Sequence, residues 1–459
     1  MTQYKITFKE ILFLAIPIIF SNLISASSSL ISMFLLAKIN SDALAAGAII
    51  TSTYGFLIMM VISILYSVII LIGHSKGGGR DHEIGDIISS GITIAFIISI
   101  PLMVIYLNIA PILQFLHQPI KVSQMTGDYF QGLAYGLFPS LIGAVFTQFF
   151  LGLAKTKVTL YFTIIGALIN SIISYFLIFG HDSIKPLGFF GAGLASSITA
   201  FILLALVLIY VSSNPEFHKY KIRMNSFFNL GYCKVLFKVG FPISIQYSTE
   251  LLAFSTITYL MGVIGTDALA GQQITLQCSM VSIMIIMGIS QAGSILISHN
   301  MGKDSKLNKS IICKTTILFG ALLMLIMGLS YWLFSDYFIS FYLDINNPSL
   351  HEISLIAKEL LIIAAFTQFF DSIRNISGGL LRGYGDTKTS MWTGLVSCWV
   401  IGLPLAIFFA FPLHFGATGL RFGIMMGILY GCIQLINRLI KANQTQSFTV
   451  TYKATGDAL

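Results

Sequence analysis

The sequence predicts an all-α integral membrane protein with twelve transmembrane helices in two pseudo-symmetric six-helix bundles. Composition is the first reason, because the 459 residues are 56% hydrophobic and only 10% charged, whereas a soluble domain carries about 25% charged residues. The second reason is the length of the apolar stretches, and the third is that the chain repeats itself. With so few charges, most of the surface must face lipid or other helices.

Twelve apolar stretches are long enough to cross a membrane. A helix needs about 20 apolar residues to cross about 30 Å of hydrocarbon. The stretches are continuous and do not alternate between apolar and polar residues, which excludes membrane strands. The predicted spans are 11–37, 44–72, 86–108, 127–151, 159–180, 190–212, 237–262, 273–298, 312–335, 355–381, 389–411 and 417–440.

The second half of the chain is a copy of the first. A shift of 225 residues relates Pro17 to Pro242 and Asp42 to Asp267 without a gap. Self-similarity at one fixed shift indicates two related structural units. Six helices per half is an even number, so both halves enter the membrane in the same direction and the repeat is parallel.

Charge sets the orientation of these helices. Eighteen Lys and Arg residues lie at the termini and in alternate loops, whereas the opposite loops hold only Lys38, Lys121 and Lys185. Because cytoplasmic loops carry the excess of Lys and Arg, both termini are predicted to be cytoplasmic. The predicted parts are an N-terminal six-helix lobe at 1–211, a cytoplasmic linker at 212–233, a C-terminal six-helix lobe at 234–443 and a polar cytoplasmic tail at 444–459.

Several function classes are disfavoured. The net charge of +8 is explained by the topology, so we expect no nucleic-acid partner. The five cysteines show neither CxxC nor metal-site spacing, and we predict no disulfide framework, metal site or cofactor. The KGGGRD stretch at 76–81 lacks the GK[ST] ending of a phosphate-binding loop and is interpreted as a cytoplasmic turn.

Several stretches together resemble one transporter family. They are the two proline-containing helices at Pro17 and Pro242, the turns SDALAAG and TDALAGQQ, the stretch LGLAKTK, and LRGYGDTKTSMWTGLVSCWVIGLPLA at 381–406. In this order and in doubled form, they resemble the multidrug and toxic compound extrusion (MATE) transporters, NorM-like branch. The resemblance covers nearly the whole chain.

The resemblance implies a secondary antiporter and not an enzyme. Such a protein exports bulky, cationic organic compounds or drugs in exchange for Na⁺ or H⁺, by alternating access of its two lobes. We therefore expect small drug-like molecules and the lipid bilayer as partners. We expect no cofactor besides the coupling ion, Na⁺ or H⁺. We expect a monomer in the bacterial inner membrane.

Two carboxylates are placed where a membrane helix rarely has any. Among the eighteen acidic residues, only Glu250 and Asp371 fall well inside apolar spans. A charge near the bilayer centre costs about 2.5–3.5 kcal/mol on insertion scales, and such residues mark ion or substrate sites. The resemblance implies that both lie at the cation-coupling positions of the C-terminal lobe, with Na⁺ as a possible ligand.

Arg374 follows Asp371 by three residues and lies on the same helical face. An arginine inside a span needs a partner, and Asp371 is the nearest candidate. A buried pair that orients the helix and a direct role in transport remain open alternatives. In the N-terminal lobe, Met33 stands where NorM-like members usually carry an aspartate.

Uncharged polar residues complete the candidates for a substrate or cation cavity. They are Gln246, Tyr247, Gln273, Gln277 and Asn170. Amides inside spans can bind a ligand, but they can equally connect helices by hydrogen bonds. Arg421 is a further charge inside a span, with no assigned role.

Two other functions are alternatives to an antiporter. A lipid-linked oligosaccharide flippase of similar architecture would need a strongly cationic cavity for pyrophosphate. The charges inside the spans, Glu250, Asp371, Arg374 and Arg421, are balanced instead. A membrane-embedded transferase would need a cluster of His, Asp or Arg at one membrane face, and the sequence has none.

The topology can be tested with single cysteines. A thiol reagent that cannot cross the membrane should label a cysteine at Ala43 or Asn347 from outside the cell, and should not label one at Lys155. The expectation follows from the excess of Lys and Arg on the Lys155 side. Labelling at Lys155 in intact cells would contradict the twelve-span arrangement.

Overall fold

A computed structural model describes residues 2–37, 41–180, 185–220, 229–303, 306–344, 347 and 350–444. Within these residues the chain forms helices and no strand, as the sequence predicts. Lys38 and the tail from residue 445 onward, both used in the sequence analysis, lie outside this part of the chain.

The helices of the first half are α1 (Thr2–Ala37), α2 (Ser41–Leu65), α3 (Ser67–Gly77), α4 (Asp81–Leu107), α5 (Ile109–Phe115), α6 (Ile120–Ala134), α7 (Leu137–Gly152), α8 (Thr156–Phe179), α9 (Gly188–Ser213) and α10 (Pro215–His218). Those of the second half are α11 (Leu230–Ile264), α12 (Thr266–Gly302), α13 (Lys306–Leu333), α14 (Ser335–Ser340), α15 (His351–Tyr384), α16 (Thr387–Leu395), a π-helical segment (Val396–Gly402), α17 (Leu403–Ala410) and α18 (Gly416–Gln444).

The predicted twelve spans each correspond to a long helix or to consecutive helices. In the described part of the chain, ten stretches are long and apolar enough to cross a membrane, and the bent pair α6–α7 makes an eleventh. Helix α11 has 35 residues, which at about 1.5 Å per residue is more than a bilayer requires. It is the one predicted span that is not among these eleven stretches, and it carries Gln246 and Glu250 in its interior.

The fourth span is bent by 62° between α6 and α7. A break in a membrane helix leaves backbone groups that must find new partners. Ser197 of α9 supplies them, because its hydroxyl donates to the Gly132 carbonyl at 2.7 Å and accepts the Gly136 N–H at 2.8 Å. The sequence analysis treated this span as continuous.

The helices divide into two compact units. Among the described residues, one unit lies within 20–244, and the other combines residues 2–19 with those of 245–444. The division therefore falls inside α1, three residues after Pro17, and inside α11, three residues after Pro242. The two prolines that mark the sequence repeat thus mark the same point in both units.

An aromatic cluster lies in the unit formed by residues 20–244. Its members are Phe149, Phe150, Phe162, Tyr210, Phe217 and Tyr220. Phe217 and Tyr220 are buried, so the predicted linker packs on the lobe before it. Lys219 in the linker lies 3.3 Å from Asp81, and the hydrogen bond to Asp81 raises the pKa of the Lys219 ammonium.

Two apolar cores lie within the described residues of the second unit. The first joins α11, α15, α17 and α18 through residues such as Met261, Leu360 and Leu420. The second joins α12, α13 and α15 through Ile274, Tyr331 and Leu361. Helix α15 belongs to both cores, so packing on two sides fixes the position of the polar side chains in its middle.

Ser197→Ala tests the account of the bent span. The change removes the Ser197 hydroxyl from both the Gly132 carbonyl and the Gly136 N–H, which keeps only its 3.2 Å bond to the Leu133 carbonyl. Loss of these buried hydrogen bonds should lower the free energy of unfolding by about 1–3 kcal/mol. Thermal unfolding of the purified protein in detergent is the measurement. Ser212→Ala is the control, because the exposed Ser212 hydroxyl bonds within its own helix, and equal stability of both variants would contradict this account.

Candidate functional site

Three charged side chains meet inside the second unit. Arg374 binds Glu250 of α11 and Asp371 of α15, which we call the charged triad. The exposed fractions of the three side chains are 2%, 9% and 14% respectively. The pairing of Arg374 with Asp371 that the sequence predicted is confirmed, and Glu250 is a second partner of the same guanidinium.

The guanidinium of Arg374 bridges both carboxylates. Its Nη1 and Nη2 donate to the two oxygens of Glu250 at 2.6 and 3.2 Å. Its Nε and Nη2 donate to Oδ1 of Asp371 at 2.9 and 2.8 Å. Bidentate pairs of this kind are the strongest hydrogen bonds that arginine forms.

Two side-chain amides donate further hydrogen bonds to the carboxylates. Asn375 donates to Oδ2 of Asp371 at 2.9 Å, and Gln246 donates to Oε1 of Glu250 at 3.1 Å. Each amide lies four residues from its carboxylate, and therefore on the same helical face. The four carboxylate oxygens of the charged triad thus all accept hydrogen bonds from the protein.

Glycines allow two further helices to approach the charged triad. A Cβ on Gly394 of α16 would stand 2.9 Å from Oε1 of Glu250. A Cβ on Gly431 of α18 would stand 3.0 Å from Cδ of Arg374 and 2.9 Å from Oγ of Ser397. Ser397 belongs to the π-helical segment. Such segments are rare in proteins overall, but where they occur they are often at functional sites.

Arg382 extends the polar network, and the sequence analysis misplaced it. It was counted as a residue of the loop after the tenth span, but it lies in the last turn of α15 and is 1% exposed. Its Nη1 and Nη2 lie 3.5 Å from Oε1 of Gln246 and Oγ of Ser290. Its guanidinium also lies 5.4 Å from the ring centre of Tyr247.

Arg438 was counted among the eighteen cytoplasmic charges, at the end of the predicted twelfth span, 417–440. It lies within α18, where its Nε donates to Asp386 at 2.7 Å. Both arginines occupy the ends of long helices that continue beyond the apolar stretch. Hydropathy locates the end of the apolar stretch and not the end of the helix, which is the reason that Arg382 was assigned to a loop.

The other amide candidates of the C-terminal lobe lie outside the charged triad. Gln273 and Gln277 are exposed on α12, and a role for them stays a prediction. Their neighbour Gln272 is buried and accepts a hydrogen bond from Nε of Arg421 at 2.7 Å. Which of these glutamines is buried depends on the rotation of α12 about its axis. Packing against other helices sets that rotation, and the sequence does not show it.

Asn170 lies in the other unit, in a cavity of about 280 Å³. It accepts a hydrogen bond from Ser32 at 3.4 Å and donates one to Ser196 at 3.2 Å. Met33 also lines this cavity, and the described residues of its lining include hydroxyl groups and Asn170 but no carboxylate. This lining agrees with the departure from the NorM-like pattern noted in the sequence.

The charged triad carries two negative charges and one positive charge. It therefore has a formal charge of about −1 when both carboxylates are ionised, in surroundings that exclude water. Within the described residues, no three His, Cys, Asp or Glu side chains are grouped as a metal site.

At the level of sequence, the chain matches one family model and relatives that carry one name. The family model MatE matches residues 17–176 and 242–408. A protein of Rhizobium meliloti named "Probable multidrug resistance protein NorM" is 28% identical over 430 residues, which cover 93% of this chain and 92% of the relative. A protein of the same name from Synechococcus is 24% identical over 96% of this chain and 95% of the relative.

Solved structures are similar along the whole chain. A mutant of the Vibrio cholerae MATE transporter VcmN has a TM-score of 0.88 at 16% identity, over 98% of this chain and 99% of that one. The eukaryotic MATE transporter AtDTX14 has a TM-score of 0.83 at 19% identity, over 95% and 96%. At these identities the likeness concerns the fold alone.

The charged triad predicts an order of stabilities. Arg374→Gln leaves two buried carboxylates without a counter-charge and should lower the free energy of unfolding by about 3–5 kcal/mol. Asp371→Asn leaves the Glu250–Arg374 pair intact and should cost less. The combined variant should recover part of the loss, because one carboxylate is removed with the arginine.

Thermal unfolding and the yield of folded protein measure this order. Lys358→Gln is a matched control on the same helix, since Lys358 forms an exposed pair with Asp336 at 2.8 Å that is worth about 0–1 kcal/mol. Strictly additive losses in the combined variant would show that Arg374 and Asp371 do not interact.

Proposed function

Because this chain belongs to the MatE family, we propose that it is a multidrug efflux transporter that exports organic compounds in exchange for Na⁺ or H⁺. The observation that carries the coupling part is the charged triad, two carboxylates and one arginine buried in helices that cross the membrane. Groups of this kind are costly in lipid and are associated with ion pathways.

Glu250 and Asp371 are the proposed coupling groups. They lie on different helices and share one guanidinium, so an ion that binds either carboxylate changes the contact between α11 and α15. Such a change can bias transport only if the cation has different affinities for two conformations of the protein. Gln246 and Asn375 would keep the two carboxylates oriented in both conformations.

The proposed substrates are bulky cationic drugs. The names of the relatives, probable multidrug resistance proteins, support drug export, and the cationic class is what the family resemblance implies. The cavity around Asn170 in the unit of residues 20–244 would contribute hydroxyl and amide groups, with tyrosine rings at Tyr54, Tyr106 and Tyr129. Aromatic rings attract organic cations through their faces. Because no described residue of this lining carries a carboxylate, we assign coupling to the C-terminal lobe alone.

We further propose the bacterial inner membrane as the location, with both termini in the cytoplasm and the monomer as the functional form. The charge distribution over the loops supports this orientation. The flippase alternative has less support, because the charge of Arg374 is neutralised by two carboxylates. A transferase has less support because the relatives are named as resistance proteins and transporters.

Efflux from inverted membrane vesicles tests the function and identifies the ion. A Na⁺ gradient and a pH gradient are imposed separately, and accumulation of a fluorescent cationic dye is followed. We expect one gradient, and not both, to drive accumulation. Accumulation that ignores both gradients would refute an ion-coupled antiporter.

Glu250→Gln tests the coupling role. It keeps the size of the side chain and removes its charge, so gradient-driven efflux should be almost entirely lost in a protein that still inserts. Glu359→Gln makes the same chemical change at an exposed position of α15 and should leave efflux unchanged. Normal efflux by Glu250→Gln would show that another group couples the ion.

A further inference from the structure

Arg374 occupies the place that a coupling cation would need. Its guanidinium donates to three of the four carboxylate oxygens of the charged triad, at 2.6 to 3.2 Å. The fourth oxygen, Oδ2 of Asp371, accepts from Asn375. A cation that binds both carboxylates must therefore enter a space that is already filled by a positive charge.

We propose that Arg374 is a tethered competitor of the coupling cation. When the cation is absent, the guanidinium holds Glu250 and Asp371; when the cation binds, it displaces the guanidinium from Asp371 at least. This inference rests on the proposed coupling role of the two carboxylates. It makes Arg374 a residue that sets the affinity of the site and not only a structural partner.

Charge and geometry both favour displacement over simultaneous binding. A guanidinium and a metal ion or proton of like charge would repel each other at close range in a site that excludes water. Arginine stays protonated under all physiological conditions, so it can leave the carboxylates only by moving. Among the described residues, the other ionisable groups near the charged triad are Arg382, reached through Gln246, and the thiols of Cys398 and Cys432.

An uncharged hydroxyl lies close to the Arg374 side chain. Gly431 packs tightly against both groups, since a Cβ there would stand 3.0 Å from Cδ of Arg374 and 2.9 Å from Oγ of Ser397. That hydroxyl belongs to the π-helical segment, so a displaced guanidinium would find an uncharged acceptor there. The Arg374 guanidinium would then bond either to the carboxylates of Glu250 and Asp371 or to the neutral Ser397 hydroxyl.

Trp399 provides a local reporter of cation binding. Its indole donates to the carbonyl of Thr249 at 2.9 Å, next to Glu250 in the chain. The protein has three tryptophans, and the other two, Trp332 and Trp392, are exposed. Replacing those two with phenylalanine leaves Trp399 as the single tryptophan of the purified protein.

The experiment titrates this protein with Na⁺ at fixed pH, and with protons at fixed Na⁺. We expect a saturable change in fluorescence with one of the two cations, and its loss in Glu250→Gln. Arg374→Gln should reach half-saturation at a cation concentration at least tenfold lower, because the competitor has been removed. Arg374→Lys, which keeps the charge but cannot bridge both carboxylates, should show a smaller decrease.

The outcomes separate this inference from the proposed function. A protein that responds to neither cation would refute coupling at Glu250 and Asp371, and the competitor with it. A normal response that Arg374→Gln leaves unchanged or weakens would refute the competitor alone. Should both Arg374 variants fail to fold, arginine modification of the unmutated protein by phenylglyoxal decides the question.

In that second measurement, modified arginines are identified by mass spectrometry with and without saturating cation. Displacement should increase the modification of Arg374 several-fold. Arg421 is the internal reference, since it is also buried but bonds to Gln272 and not to a carboxylate. Equal modification of Arg374 in both samples would overturn the proposal.

Discussion

One guanidinium determines the arrangement of the second unit. Two carboxylates in the interior of membrane helices would repel each other strongly, because the surroundings screen charge poorly. Arg374 lies between them and satisfies both, and Gln246, Asn375 and two glycines of neighbouring helices fit around this contact. The packing of α11, α16 and α18 on α15 must therefore be compatible with the position of one side chain.

This dependence links stability to function. A buried ion pair is weak support for stability by itself, since apolar residues of the same size often stabilise a protein more. The coupling role proposed above would account for the charged triad, because that role requires exchangeable charge. In this proposal Arg374 releases Asp371 when the cation binds, and this limits how tightly the guanidinium can be held.

The sequence was sufficient for the fold and for the members of the charged triad. All twelve spans could be predicted because their apolar stretches are long and the chain repeats. Glu250, Asp371 and Arg374 could be found because charges inside apolar stretches are rare. The contact of Arg374 with Glu250 could not be predicted, since the two residues are 124 positions apart in the chain and meet only through tertiary packing.

The errors have physical causes of the same kind. Arg382 was placed in a loop because hydropathy falls before the helix ends, and Gln272 was passed over because the register of α12 is invisible in composition. The bend between α6 and α7 depends on Ser197, a residue of a different helix. In each case the deciding interaction comes from outside the local sequence.

The division of α1 and α11 has a consequence for biosynthesis. The compact unit that contains the charged triad includes residues 1–19, although the rest of that unit begins only at residue 245. The first turns to leave the ribosome must therefore wait for more than two hundred further residues before their packing partners exist. Until then the amino-terminal segment lacks the helices on which it packs. Membrane insertion of this segment therefore precedes its folding.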